Sequence, residues 1–365
     1  MIRETIQNNG PLALALGGLA IGFAFGAIVY RTNFCTMGAL SDIHNFGDWR
    51  RFRAWILASA TALAGAQALD AAGVVSLAQS MYLAPSLNWV GNLLGGGMFG
   101  FGMVFAGGCA SRNLARIGGG DVRSLLTLLV LALFAFMAIG GLLGPLRAAI
   151  EQTTAISLAP LATPTQSIGD LAAAVGGLTR GTGRTLTAAA VLAAALVYCF
   201  KDKDFRASPV HVWSGIGIGL CVVAGWAITG LAFDELAEHP TNPISLTFVR
   251  PAADTVEWLQ RFTAARMPGF GVATVLGAIL GAFVVAKAMG RFQITTFSDK
   301  GDTLRNLMGA VLMGTGGVMA LGCTVGQGIT GVSTMAVGSF LSFVAIVLGG
   351  RYGLVVFERW LMADA

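Results

Sequence analysis

Cys35, Cys109 and Cys323 each stand in a stretch where polar side chains gather beside apolar runs: RTNFCTMG (31–38), GGCASRNLARIGGGD (107–121) and LGCTVGQGITGVST (321–334). A thiol is a weak hydrogen-bond donor, and its polarizable sulfur meets another sulfur at little desolvation cost. Dense glycine lets a ligand approach backbone N–H groups closely. A helix that restarts after a break turns unpaired N–H groups toward the gap, where an anion fits. Thr324, Gln327, Thr330, Ser333 and Thr334 add neutral donors around Cys323, and Ser111 and Asn113 do so around Cys109. Together these residue types suit an anion with soft sulfur atoms, held by several weak contacts. A ring of arginines would hold a dianion too tightly for passage, which needs multiple weak sites. Arg112 and Arg116 draw anions toward the mouth without trapping them.

Catalysis at these cysteines is the competing chemistry. A sulfur-transfer enzyme working through a persulfide needs an activated thiolate, with a cation or base nearby to lower its pKa. Only Cys109 has a cation close in sequence, Arg112, and His44, His211 and His239 lie far from all three thiols. No catalytic residue, metal set or cofactor is expected. A purely structural role is disfavoured by the duplicated polar breaks. Cys199 and Cys221 read as small buried hydrophobes.

The elements that must position these residues are apolar. The chain is 55% hydrophobic and 11% charged, with a mean hydropathy of +0.73, against roughly 25% charged in soluble domains. Several runs reach the ~20 residues that cross a bilayer. The expectation is an all-α polytopic membrane protein, one transmembrane domain over 1–365, with nine spans near 12–30, 54–78, 89–107, 122–144, 184–200, 210–232, 270–288, 304–322 and 336–357. Segment 145–183 is ambiguous, and SIGDLAAAVGGLT within it suits a short interfacial or re-entrant helix. The stretch 233–269, with Asp234, Glu235, Glu238, Arg250, Asp254, Glu257, Arg261 and Arg266, reads as a polar loop outside the membrane. MIRETIQNNG leads into an apolar run without a small-residue cleavage site, so the first span is expected to be retained. The basic residues form short clusters between apolar runs, which argues for loops at a bilayer surface and against nucleic acid. Sixteen of the twenty-three Lys and Arg fall on one side of this arrangement, which places the N-terminus outside and the C-terminus in the cytoplasm.

The chain also repeats itself. NLLGGGMFGFGMVFAGGC (92–109) aligns without a gap on NLMGAVLMGTGGVMALGC (306–323) at a constant offset of 214, from asparagine to cysteine. The copies are the third and eighth expected spans, so they cross in opposite senses. That makes an inverted repeat, with first and second halves at about 12–144 and 210–357. Such repeats place a substrate site near the membrane midplane, reached by Cys109 from the cytoplasmic side and by Cys323 from outside. Cys35 has no convincing counterpart in the second half.

Phe34-Cys35-Thr-Met-Gly-Ala-Leu, Gly108-Cys109-Ala-Ser-Arg and Gly322-Cys323-Thr-Val-Gly-Gln-Gly-Ile-Thr-Gly resemble, in order, the signatures of the YeeE/YedE family of bacterial inner-membrane proteins. The resemblance covers nearly the whole chain, and its third motif is the most specific. It implies a thiosulfate permease, or a carrier of a related sulfur or selenium substrate, with broken helices aiming cysteine-bearing loops at the membrane centre. Cys35, Cys109 and Cys323 would make successive S–H contacts to the anion. Some relatives deliver sulfur to a small cytoplasmic sulfurtransferase, which for this chain would be a separate protein.

Overall fold

A computed structural model gives the fold and describes Arg3, Ile6, Gln7 and residues 9–161, 163–234, 242–264 and 267–363. Glu235, Glu238, His239 and Arg266 of the expected polar loop lie outside the described residues. Among the described residues, nine long helices overlap the expected spans: α1 (Gly10–Thr32), α3 (Arg50–Ala71), α4 (Trp89–Phe105), α6 (Val122–Ile139), α9 (Arg180–Phe200), α11 (Pro209–Ala232), α13 (Phe270–Ala288), α14 (Lys300–Met319) and α15 (Val337–Ala363). Shorter helices fill the connections: α2 (Thr36–Phe46), α5 (Ala110–Gly118), α7 (Gly144–Thr154), α8 (Ile168–Gly176), α10 (Lys203–Arg206) and α12 (Val249–Gln260). Two-residue strands, Ser86–Leu87 and Ile156–Ser157, pair antiparallel. The chain is an all-α polytopic membrane protein.

Among the described residues, seven helical segments are both long and apolar enough to cross a bilayer, α1 running on into α2 and α4 into α5 among them. The other two long helices, α3 and α14, have the length at 22 and 20 residues. Their charged openings, Arg50-Arg51-Phe52-Arg53 and Lys300-Gly301-Asp302, dilute their apolar character.

Glycine sets how closely the helices approach. Gly22 and Gly26 of α1 lie against the backbone of Thr274 and Ala278 of α13, so these two helices run parallel. Gly215 and Gly219 of α11 lie in the same way against Ala54 and Ala58 of α3, and Gly96 and Gly100 of α4 against Ser342 and Ile346 of α15. The contact between α4 and α14 has the opposite sense: Gly95 meets Gly316, and Gly102 meets Gly309. Without a hydrophobic drive between helices in lipid, such small-residue contacts let backbones pack closely.

The stretch 233–269 departs from its expected character. Ser245, Leu246, Thr247, Phe248 and Val249 are buried, and the segment threads inward before α12 turns away. Its backbone is satisfied by distant side chains, as buried polar groups require: Thr330 donates to the Leu246 carbonyl at 2.6 Å, and Thr229 to that of Ile244 at 2.7 Å. The ambiguous stretch does contain a short helix, α8, whose N-cap is Ser167. Asp170 at its start is 1% exposed and makes a two-pronged ion pair with Arg184 at 2.6 and 2.8 Å.

Candidate functional site

The two aligned segments end in the same local geometry. α4 closes with Gly107 at φ +68, its N–H donating to Val104 at 3.2 Å and that of Gly108 to Met103 at 2.8 Å. α14 closes with Leu321 at φ +58, its N–H donating to Val318 at 3.0 Å and that of Gly322 to Gly317 at 2.8 Å. This left-handed closure ties off the last carbonyls of a helix. It costs glycine nothing, but strains leucine by about 1–2 kcal/mol. A residue that strained holds only where the surrounding structure over-determines it.

Each closure delivers a cysteine to the start of a new half-helix. Cys109 is the N-cap of α5, and Cys323 precedes a half-helix with a widened, π-helical stretch at Gly326–Gly331. The matching amides Asn113 and Gln327 brace the two turns. Their N–H groups donate to Cys109 and Cys323 carbonyls at 3.0 and 2.8 Å, and their side chains reach back to Gly108 at 2.9 Å and to Ala320. Short π-helical bulges of this kind are frequent at functional positions.

The thiols are buried and free, as are those of Cys199 and Cys221. Cys109 sits at the junction: its sulfur lies 3.3 Å from the Ser111 hydroxyl, with the Cys35 thiol and the Thr324 side chain as its other neighbours. Thr324 comes within reach of that thiol without closing a well-shaped bond, and its hydroxyl is buried with no hydrogen-bond partner. Cys323, next in the chain, accepts the Gly326 N–H at 3.4 Å and neighbours Thr247 and Phe248. Cys109 thus gathers Cys35 from its own half and Thr324 from the other loop, where Cys323 is the preceding residue.

The other expected donors are spoken for. Thr330 donates to Leu246, Ser333 to the Thr330 carbonyl at 2.5 Å, and Thr334 to Gly331 at 2.7 Å. Gln327 spends its amide N–H on Ala320, so the atom left over is an acceptor, Oε1, buried and unpaired. Of the expected donors, that leaves the Ser111 and Thr324 hydroxyls beside the thiols.

Three residues that no motif marks complete the surroundings. Thr247 and Phe248 precede α12 as Phe34 and Cys35 precede α2, so the second half brings a hydroxyl and backbone to Cys323 where the first half brings a thiol to Cys109. Tyr82 is 2% exposed, and its hydroxyl lies near Gly326 without a partner. The signal for the first pair was the apolar Leu-Thr-Phe-Val run inside an otherwise charged loop; Tyr82 had none.

A cavity of about 560 Å³ reaches the Gly322 turn, with Thr247, Leu321, Arg147 and Arg250 on its walls. Arg147 is committed to Glu151 at 2.7 Å and to the Ala138 and Ile139 carbonyls. Arg250 is 68% exposed and only loosely paired with Asp254 at 3.6 Å, which leaves its field free to act on solution anions. Behind Cys109 the cations are held: Arg112 donates to Asn33 at 2.8 Å, and Arg116 to the Gly107 carbonyl at 2.9 Å.

Comparison with known proteins identifies the family. The family described as sulphur transport matches residues 31–352. The thiosulfate transporter TsuA of Spirochaeta thermophila is 27% identical over 345 residues, which cover 94% of this chain and 99% of that protein. The thiosulfate transporter TsuA of Escherichia coli is 28% identical over 360 residues, covering 92% of this chain and 93% of its own. With residues 31–352 matched, the chain belongs to the sulphur transport family.

Proposed function

We propose that this protein is a permease that brings thiosulfate into a bacterial cell across the inner membrane. The observation that carries the reading is the junction at Cys109, where Cys35 stands on one side and Thr324, next to Cys323, on the other. Thiosulfate offers a soft terminal sulfur to the thiols and hard oxygens to hydroxyl and N–H donors. Contacts of this strength suit passage, because each site holds the ion weakly enough to release it to the next. The ion enters the cavity beside Arg250, meets Cys323 with Thr247 and the Gly326 N–H, and passes to Cys109 and then Cys35. Ser111 and Thr324 are the hydroxyls that accompany it.

The two halves act as an inverted repeat of nine spans, with the N-terminus outside and the C-terminus in the cytoplasm. The exchanged glycine contacts between α4 and α14 and the matched closures at Gly107 and Leu321 support the inverted repeat, and the excess of Lys and Arg on one side supports the orientation. A separate cytoplasmic sulfurtransferase would take up the delivered sulfur. Uptake of labelled thiosulfate by vesicles carrying the purified protein tests the reading. Uptake should exceed that of empty vesicles and resist excess sulfate, which has no terminal sulfur. Equal uptake by empty vesicles would sink it.

A further inference from the structure

The two cysteine loops differ in what answers their acceptor oxygens. At the first, the Gly107 carbonyl receives Arg116 at 2.9 Å, and Asn306 lies beside the same turn. A guanidinium is therefore built into that side. At the second, the offset of 214 puts Thr330 where the first has Arg116, and Thr330 donates to Leu246 instead. Asn92, the partner of Asn306 in the repeat, keeps a buried Oδ1 without a hydrogen-bond partner. So do Gln327 at Oε1 and Glu151 at Oε1. Asn92 and Gln327 are 2% and 1% exposed. Donation to Ala320 fixes which way the Gln327 amide points.

These three residues line one cavity of about 280 Å³, and among the described residues no Lys, Arg or His lines it. Buried acceptors left unpaired are costly, and hard oxygen donors answer to a hard cation. Glu151 is already neutralised by Arg147 through its other oxygen at 2.7 Å. A divalent ion would bring two uncompensated charges into a mostly buried site, which is strongly unfavourable. A monovalent ion brings one.

We propose that Asn92, Gln327 and Glu151 form a sodium site coupled to the anion path. The coupling rests on the permease reading above, whereas the cation site itself does not. Gln327 is the mechanical link, because its side-chain amide donates to the Ala320 carbonyl and its backbone N–H to the Cys323 carbonyl at 2.8 Å. A cation that orders Gln327 therefore orders the loop carrying Cys323 and Thr324. Leu321, held at φ +58, borders both this cavity and the larger one beside Thr247. Unwound backbone holding an anion and a coupling cation close together is a recurring solution in transporters with repeated halves. Here it also serves the electrostatics, since a dianion entering a negative interior gains from a cation travelling with it.

The purified protein in choline chloride is titrated with thiosulfate by calorimetry, then again with sodium replacing choline at the same ionic strength. Sodium should tighten binding by about fivefold or more, the lower range of typical coupling between sites. Potassium should do less. Asn92→Leu and Glu151→Gln should each lose the difference between the salts. The comparison on the unaltered protein decides the matter even if Asn92→Leu fails to fold. Equal thiosulfate affinity in sodium, potassium and choline overturns the sodium site and leaves the permease reading standing. An increase produced by acid in choline rather than by sodium overturns it as well. If thiosulfate binds in no salt, the permease reading falls. The sodium site is then judged by thermal unfolding: a midpoint raised by sodium over choline supports it, and an unchanged midpoint overturns it.

Discussion

Gly95 and Gly316 face each other across antiparallel helices so closely that a methyl group on Gly95 would stand 2.6 Å from the Gly316 carbonyl oxygen. Their counterparts at offset 214 exchange the roles: a methyl group on Gly309 would stand 2.6 Å from the Gly102 oxygen. Neither gap admits a Cβ without moving backbone. Gly95→Ala and Gly309→Ala should therefore each cost about 1–3 kcal/mol, the usual penalty for overpacking, and by similar amounts. Gly97, with open space where its Cβ would go, is the control. Thermal unfolding in detergent reads all three, and an unchanged midpoint for Gly95→Ala would contradict the contact.

Leu321 gives a second prediction with the opposite sign. It occupies the left-handed conformation that glycine holds at Gly107. Leu321→Gly should recover about 1 kcal/mol of backbone strain, partly offset by the lost side-chain contacts, and raise the unfolding midpoint. Gly107→Leu should lower it. If both substitutions destabilise, packing of the Leu321 side chain outweighs the strain, and the two turns are not equivalent.

Much of this arrangement was legible in the residues themselves. Apolar runs of bilayer length located the long helices, and an ungapped register from Asn92 to Cys109 located the loops that end α4 and α14. Local composition could not reveal the inward course of 242–249. That segment lies within a charged stretch, and its burial depends on Thr330, 84 residues from Leu246. Nor could composition tell how the threonines spend their hydroxyls. A hydroxyl inside an apolar helix donates to any carbonyl in reach, and this takes Thr330, Ser333 and Thr334 out of the donor set while sparing Thr324. Gln327 reverses its expected polarity for the same reason, because Ala320 takes its amide hydrogen.

Asp170 and Arg184 supply a prediction in pH. Burial pushes the Asp170 carboxyl up, but hydrogen bonds from Arg184 and Thr165 and the Arg184 charge outweigh it, so the group sits below the ordinary aspartate range. A depressed carboxyl stabilises the fold above its unfolded pKa, near 3.9, and loses that contribution as pH falls through its folded value. The unfolding midpoint should therefore drop below about pH 4. Asp170→Asn should flatten this part of the profile while lowering stability at neutral pH, because it leaves Arg184 half-buried without its charge partner. An unchanged acid profile in Asp170→Asn would remove the pair from the account.

The cysteines separate transport from packing. Cys323→Ala and Cys109→Ala should each reduce thiosulfate uptake by about tenfold or more, the rate equivalent of one lost hydrogen bond of about 1.4 kcal/mol. Cys199→Ala and Cys221→Ala remove thiols that lie away from the junction, Cys199 donating to the Arg53 carbonyl at 3.3 Å, and should leave uptake near its original level. Thr324→Val is the sharpest of these variants. It keeps the shape of the side chain and deletes a buried hydroxyl that has no partner in the protein. Stability should hold or rise, since an orphaned polar group is removed. Uptake should fall, because the donor between Cys323 and Cys109 is gone. A Thr324→Val protein that is more stable and transports at full rate would show that the anion passes without this hydroxyl.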